Sequence, residues 1–180
     1  MLLRGIAAGV FTPIFPVYVV ADDPVGRFVE IAVDEELRYL PRTADTREYA
    51  ERLTRLRLHQ PVFRARVLRA YEQSCAMCRL KHVDLLDAAH ILSDAEGGQP
   101  VVPNGLSLCK IHHAAYDRGI VGVRPDYVVQ VRPDVLLETD GPMLRYGIQA
   151  VHDLTLTLPA RLKERPDRDL LAQRFAVFAL

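Results

Sequence analysis

The sequence predicts an α+β chain built around a hairpin stapled by metal, with flanking helices and a short β segment at the N-terminus. Three observations lead there. Residues 1–33 and the two short runs 87–91 and 106–109 read as extended, whereas apolar residues recur at helical spacing between 45 and 71 and again after 167. All three cysteines and four of the six histidines are packed between Cys75 and Asp117. The cysteines also fall at chelating intervals, which core packing alone would not require.

At 180 residues the chain can bury one real core, or a small domain with an added lobe. Its longest apolar run, Ile6 to Val20, is interrupted by Gly9, Thr12, Pro13 and Pro16, which excludes a membrane span there. Arg4 is an isolated early basic residue and no small-residue cleavage site follows the run, so a signal peptide is not expected. These features point to a cytoplasmic protein without membrane partners. A Cys-x2-Cys pair in a reducing compartment indicates metal rather than a disulfide, and no βαβ pattern surrounds it to suggest a redox dithiol.

Net charge is zero, but unevenly spread. From Ala21 to Glu36 six acids face Arg27 alone, while Arg38 to Lys81 carries eleven basic residues against four acids. Nearly all the basic residues are arginines, whose planar forks suit bidentate phosphate contacts. Either a polyanion-binding face or a solvated helix surface accounts for this run.

In order, Phe15–Val20 and Phe28–Val33 read as strands around a turn at Asp22–Gly26, making residues 1–40 a β-rich segment of two or three strands. Two or three strands alone make a poor sheet, so an arm or the end of a larger domain is expected. Residues 41–74 form an arginine-rich helical linker. Tyr49, Leu53 and Leu56 mark a first helix over 45–58, and Pro61 opens a second with Phe63, Val67, Leu68 and Tyr71 as its apolar stripe. Arg64, Arg66 and Arg69 lie mostly off that stripe and are the candidate DNA contacts. Residues 75–122 hold the core, with a helix over 111–118 stopped at Gly119. The remainder, 123–180, continues a hairpin through Pro125-Asp126, then a short helix in 141–151, a strand-like 154–158 and a closing helix. Asp167 caps that helix, with Leu170, Leu171, Phe175 and Phe178 on its apolar side.

Cys75-x2-Cys78 and Cys109-x2-His112 are two chelating pairs with thirty residues between them. Three sulfurs and one imidazole make a closed tetrahedral set of the kind structural Zn²⁺ prefers, with no position left open for substrate. The bland alternative treats the cysteines as small buried hydrophobes, which leaves the paired spacing unexplained. Next to this set, His113 and Asp117 stand four apart on one helical face, where they could hold a second cation with open coordination positions.

The runs Asp87-Ala-Ala-His90-Ile, Asn104-Gly-Leu-Ser-Leu-Cys109 and Lys-Ile-His112-His113-Ala-Ala-Tyr-Asp117-Arg-Gly119 together resemble the HNH nucleases. The flanking halves are vaguely similar to bacterial HNH proteins of restriction type. The resemblance implies a ββα-metal core within 75–122 and a metal-dependent DNA endonuclease. It makes His90 the general base and Asn104 the residue that orients the His90 segment. His113 and Asp117 become ligands of Mg²⁺, or of a transition metal such as Mn²⁺ or Ni²⁺, with Asp87 as a further candidate ligand. One position departs from the pattern: Ala89 stands where many members carry a ligand just before the base. DNA is the implied partner, a homodimer is implied by cutting two strands, and residues 1–40 would end a larger recognition domain. The alternative is a zinc-stabilised nucleic-acid-binding module that has lost hydrolysis, which Ala89 favours. A secreted toxin is disfavoured by the absence of a signal. His59, His82 and His152 lack such company and read as structural or surface residues.

Overall fold

The computed structural model of this protein describes residues 1–33, 35 and 60–179. The helix expected over 45–58 lies outside them. The chain divides into two compact units, residues 1–65 and 66–180.

Among the described residues of the first unit, four strands form two separate antiparallel hairpins. β1 (Leu2–Ala7) pairs with β2 (Val10–Ile14), and β3 (Tyr18–Asp23) pairs with β4 (Phe28–Ala32). The β3–β4 turn is the expected one, secured by the Asp23 carboxylate accepting from the Val25 and Gly26 amides. The strands beyond the two read from the sequence are β1, where Gly5 breaks the alternation, and β2, which contains Pro13. Half-exposed and exposed residues alternate along β2, and Phe11, Phe15 and Phe28 are all exposed.

Residues 60–70 are helical, beginning around Pro61 as its preset φ favours, and Phe63, Val67 and Leu68 on the expected stripe are buried. Arg66 and Arg69 are exposed and Arg64 is half-buried.

The second unit is built outward from a five-residue antiparallel pair, β5 (Leu86–His90) with β6 (Gly105–Cys109). β6 is buried along its whole length, and β5 at Leu86, Ala88 and Ala89 with Asp87 and His90 half-buried, so periodicity gives the pair little alternation. Helix α1 (Lys110–Asp117) follows β6 without a loop and packs on both strands. Gly119, at φ 64°, ends it in the left-handed conformation that glycine adopts without strain. The chain then forms the hairpin β7 (Val121–Val123) and β8 (Val129–Val131), as the Pro125-Asp126 turn predicts.

Two short helices come next, α2 (Pro133–Leu137) and α3 (Pro142–Gly147), of which α3 was expected and α2 was not. Five residues opened by a proline show too little periodicity to be read as a helix. The strand expected at 154–158 is a correction: Thr155 makes a single isolated bridge to Val128 and no strand forms. Leu154 O accepts from the Val129 amide and the Leu156 amide donates to Tyr127 O, but the next amide, that of Thr157, donates to Ala76 O, so the run leaves the hairpin after two bonds. The last helix, α4 (Arg168–Phe178), starts where predicted, with Asp167 Oδ1 accepting from the Asp169 and Leu170 amides. It packs on β7, and Gly122 is required there because a Cβ would strike the Phe178 ring at 2.5 Å.

Leu86, Ala89, Ile91, Leu106, Leu108, Tyr116, Val121, Val129 and Leu171 form the core of this unit. Among the described residues, no helix is long and apolar enough to cross a membrane.

Candidate active site

Cys75, Cys78, Cys109 and His112 converge in one cluster, with their donor atoms all within 4.8 Å of one another. His112 Nδ1 lies 3.4 Å from Cys75 Sγ and 3.2 Å from Cys109 Sγ. Tetrahedral zinc, with bonds of about 2.3 Å to sulfur and about 2.0 Å to nitrogen, needs donors separated by about 3.5 Å. The cluster therefore fits a structural zinc ion.

Three local features build it. The Cys75–Cys78 turn is closed by the Cys75 amide donating to Leu80 O and the Arg79 amide donating to Cys75 O, each at 2.9 Å. Cys109 ends β6 as the residue just before α1, so the first helical turn brings His112 back over its sulfur. On the far side of the ring, His112 Nε2 donates to Gly147 O at 2.7 Å, which leaves Nδ1 as the nitrogen that faces the sulfurs. Burial opposes charge on His112, but the Cys109 and Cys75 sulfurs outweigh it and hold the imidazole at about 10. Hydrogen bonds from Cys75 and Cys78 in turn hold the Cys109 thiol far below its usual range. Gly147 was not legible beforehand. Its contribution is a backbone carbonyl from a helix 35 residues away, which any residue type could supply.

The other face of α1 carries His113 and Asp117. His113 Nε2 lies 3.3 Å from Asp117 Oδ2, and its Nδ1 lies 3.5 Å from Asp87 Oδ2 on β5. The ring is thus held between two carboxylates, one per nitrogen. Pairing of Asp87 with Leu108 and of Ala89 with Leu106 places Asp87 and Ala89 on the same face of the hairpin, opposite His90. Ala89 itself is fully buried and offers no donor.

His90 ends β5, and its Nε2 lies 3.9 Å from Asp94 Oδ1, a neighbour supplied by the turn that follows the strand. Burial pushes the His90 pKa down, against opposing pulls from Asp94 and Asp117 and a like-signed push from His113. The same turn is a capping box, with Glu96 accepting from both the hydroxyl and the amide of Ser93. The Ser93-x-x-Glu96 spacing would have signalled it.

Asn104 is 1% exposed and engages both its amide donors and its side-chain oxygen. Its Nδ2 donates to Leu92 O and Gln99 O, and its Oδ1 accepts from the Leu92 amide, all at 2.9 Å. Asn104 O also accepts from the Ile91 amide. The loop between β5 and β6 is therefore tied at both ends by one residue. Gly98 lies against this tie so closely that a Cβ would run into the Leu92 carbonyl and the Asn104 amide.

His82 is exposed, His152 Nδ1 accepts from the Val131 amide at 3.0 Å, and His59 lies outside the described residues.

No curated protein matches the chain. Among solved structures, one described as a modification dependent TagI restriction endonuclease is similar, with a TM-score of 0.47 and 21% identity over 64% of this chain and 36% of that one. The chain spans little more than a third of that protein's length. Residues 75–124, which carry both the sulfur cluster and the His90, Asn104 and His113 constellation, match the family described as HNH endonuclease.

Proposed function

We propose that the chain is a metal-dependent endonuclease that hydrolyses DNA phosphodiester bonds, with residues 86–117 as its ββα-metal unit and the cysteine cluster as a structural zinc site. The observation that carries this reading is His113 held between Asp87 and Asp117 on a strand–helix frame whose strand ends in His90. His113 Nε2 and Asp117 are spaced about as two neighbouring ligands of one octahedral cation would be, roughly 3 Å apart. When bound there, a divalent cation would offset negative charge as it develops on the phosphate in the transition state.

The chain's own groups do the rest. His90 takes a proton from the attacking water, for which it must be neutral, and its burial favours that form. Asn104 keeps the strand end and loop in register, so His90 is presented at a fixed position. Asp87 accepts from His113 Nδ1–H, which fixes the tautomer and leaves Nε2 to the ion; it serves as an orienting partner rather than as a ligand in the place of Ala89. The arginines at 64, 66 and 69 supply phosphate contacts that carry no sequence information. Cleavage of both strands of a duplex by a chain with one such centre implies a homodimer, and a restriction-type role would assign target choice to residues 1–40 and whatever they adjoin.

Purified protein incubated with plasmid DNA and Mg²⁺, Mn²⁺ or Ni²⁺, with and without modified bases, should nick it in at least one condition. Binding without nicking in all of them would leave the zinc-stabilised binding module, the reading that Ala89 favours. Asp87→Ala should raise the metal concentration needed for half-maximal cleavage by about 10–100-fold. An unchanged requirement would remove Asp87 from the site.

The pH profile has a definite sign. His90 is lowered from the ordinary value of about 6.5. The neutral form of the base is therefore favoured at neutral pH and is lost as pH falls through the depressed value. The acid limb of kcat/KM should accordingly lie below 6.5. Asp94→Asn removes a charge that raises the His90 pKa, so it should move that limb further toward acid. A limb above 6.5, or one that Asp94→Asn shifts upward, would contradict His90 as the base.

A further inference from the structure

A cavity of about 250 Å³ opens beside the C-terminal end of α1, lined among others by Asp117, Arg118, Tyr116, Arg174 and Phe175. Arg174 projects into it from α4. The guanidinium lies 5.1 Å from the Tyr116 ring centroid, and Nη2 donates to Tyr116 O at 3.3 Å. That geometry holds the group in place with one of its five N–H donors used. No carboxylate lies within ion-pair distance of Arg174 among the described residues, and its charge is felt at Glu96 on the turn that follows His90. The arginine is thus half-buried, pre-oriented by a ring and a carbonyl, shares a cavity with Asp117 and acts electrostatically on Glu96 of the turn after His90.

An arginine that only capped α1 would need the carbonyl contact and nothing else. This one retains donors facing a cavity whose rim includes a proposed metal ligand. The site around it is rich in carboxylates, namely Asp87, Asp94, Glu96 and Asp117, and a phosphodiester entering it meets net repulsion that a cation must counter. A fixed guanidinium fork suits two oxygens of a phosphate better than a lysine would.

We propose that Arg174 is a substrate-contacting residue of the nuclease site, clamping a backbone phosphate of the DNA strand next to the one held at His113 and Asp117. The proposal rests on the endonuclease reading above, and the test separates the two. Cleavage kinetics are measured for Arg174→Gln and Arg174→Lys, and DNA binding is measured without divalent metal in a His90→Ala background across a salt series. Arg174→Gln should lower kcat/KM about 10–100-fold, with zinc content and Tm unchanged, and should reduce the slope of log K against log[salt] by about one phosphate contact. Arg174→Lys, which keeps the charge and the packing stem, should retain most of the salt slope and recover only part of kcat/KM. An unchanged slope overturns the clamp. So does a loss of activity that merely tracks a drop in Tm in both variants. If the native chain cuts nothing with any metal, the endonuclease reading fails by itself, and the salt slope still decides whether Arg174 touches phosphate.

Discussion

On the endonuclease reading, His90→Ala should lower DNA cleavage by about 10²–10⁴-fold, the usual contribution of a positioned general base, while DNA affinity, zinc content and Tm should stay near native. The separation is expected because His90 ends β5 without belonging to the zinc cluster or to the packed core of the unit. Its imidazole is half-buried next to Asp94, and truncation leaves the Asn104 ties to Leu92 and Gln99 untouched. Single-turnover cleavage with a saturating divalent metal, run beside a binding titration, checks this. A variant that cuts at the native rate eliminates His90 as the base. One that loses binding in proportion makes His90 a structural residue.

Removing the metal from the sulfur cluster should have the other large effect, on stability. Structural zinc contributes on the order of 10 kcal/mol to folding in small zinc domains, comparable with the whole net stability of an ordinary domain at ~5–15 kcal/mol. The cluster links the turn after residues 60–70, the end of β6, the first turn of α1 and, through the His112–Gly147 bond, the end of α3. A strong chelator, or Cys109→Ser, should therefore abolish cooperative unfolding of the 66–180 unit and with it the placement of His113 and Asp117. Circular dichroism melts with elemental analysis for zinc would show this, and a metal-free chain with a native Tm would refute a structural ion.

Acid works in the same direction. Bound metal needs thiolates and a neutral His112, yet the sulfurs hold that imidazole at about 10, so each ion taken up near neutral pH expels a proton. Zinc affinity should fall as pH falls.

Much of the site could be read from residue order, because its chemistry is written in rare residue types at short spacings. Cys75, Cys78, Cys109 and His112 are the set the structure gathers, and the adjacent His113 turns to the other face of α1, as 100° per residue requires. The helix stop at Gly119, the cap at Asp167 and the turn at Pro125-Asp126 were equally legible, since each depends on one residue's own backbone preference. What failed was of a different kind. The 154–158 run has the composition of a strand and bonds to residues 127–129 through Leu154 and Leu156, but by Thr157 it has turned to donate to Ala76 O, a path that composition does not supply.

By itself, then, the sequence determined most of the α+β elements of the second unit, though not α2 or the course of 154–158, together with the division of its metal-type residues into a closed set and an open one and the HNH resemblance. Only the tertiary structure decided which groups complete each set. It directed the Gly147 carbonyl to His112, set Asp87 against the second nitrogen of His113 and brought Arg174 to the rim beside Asp117. Those partners come from elements tens of residues apart, and their contacts depend on strand register and helix packing, which local propensity and spacing do not encode.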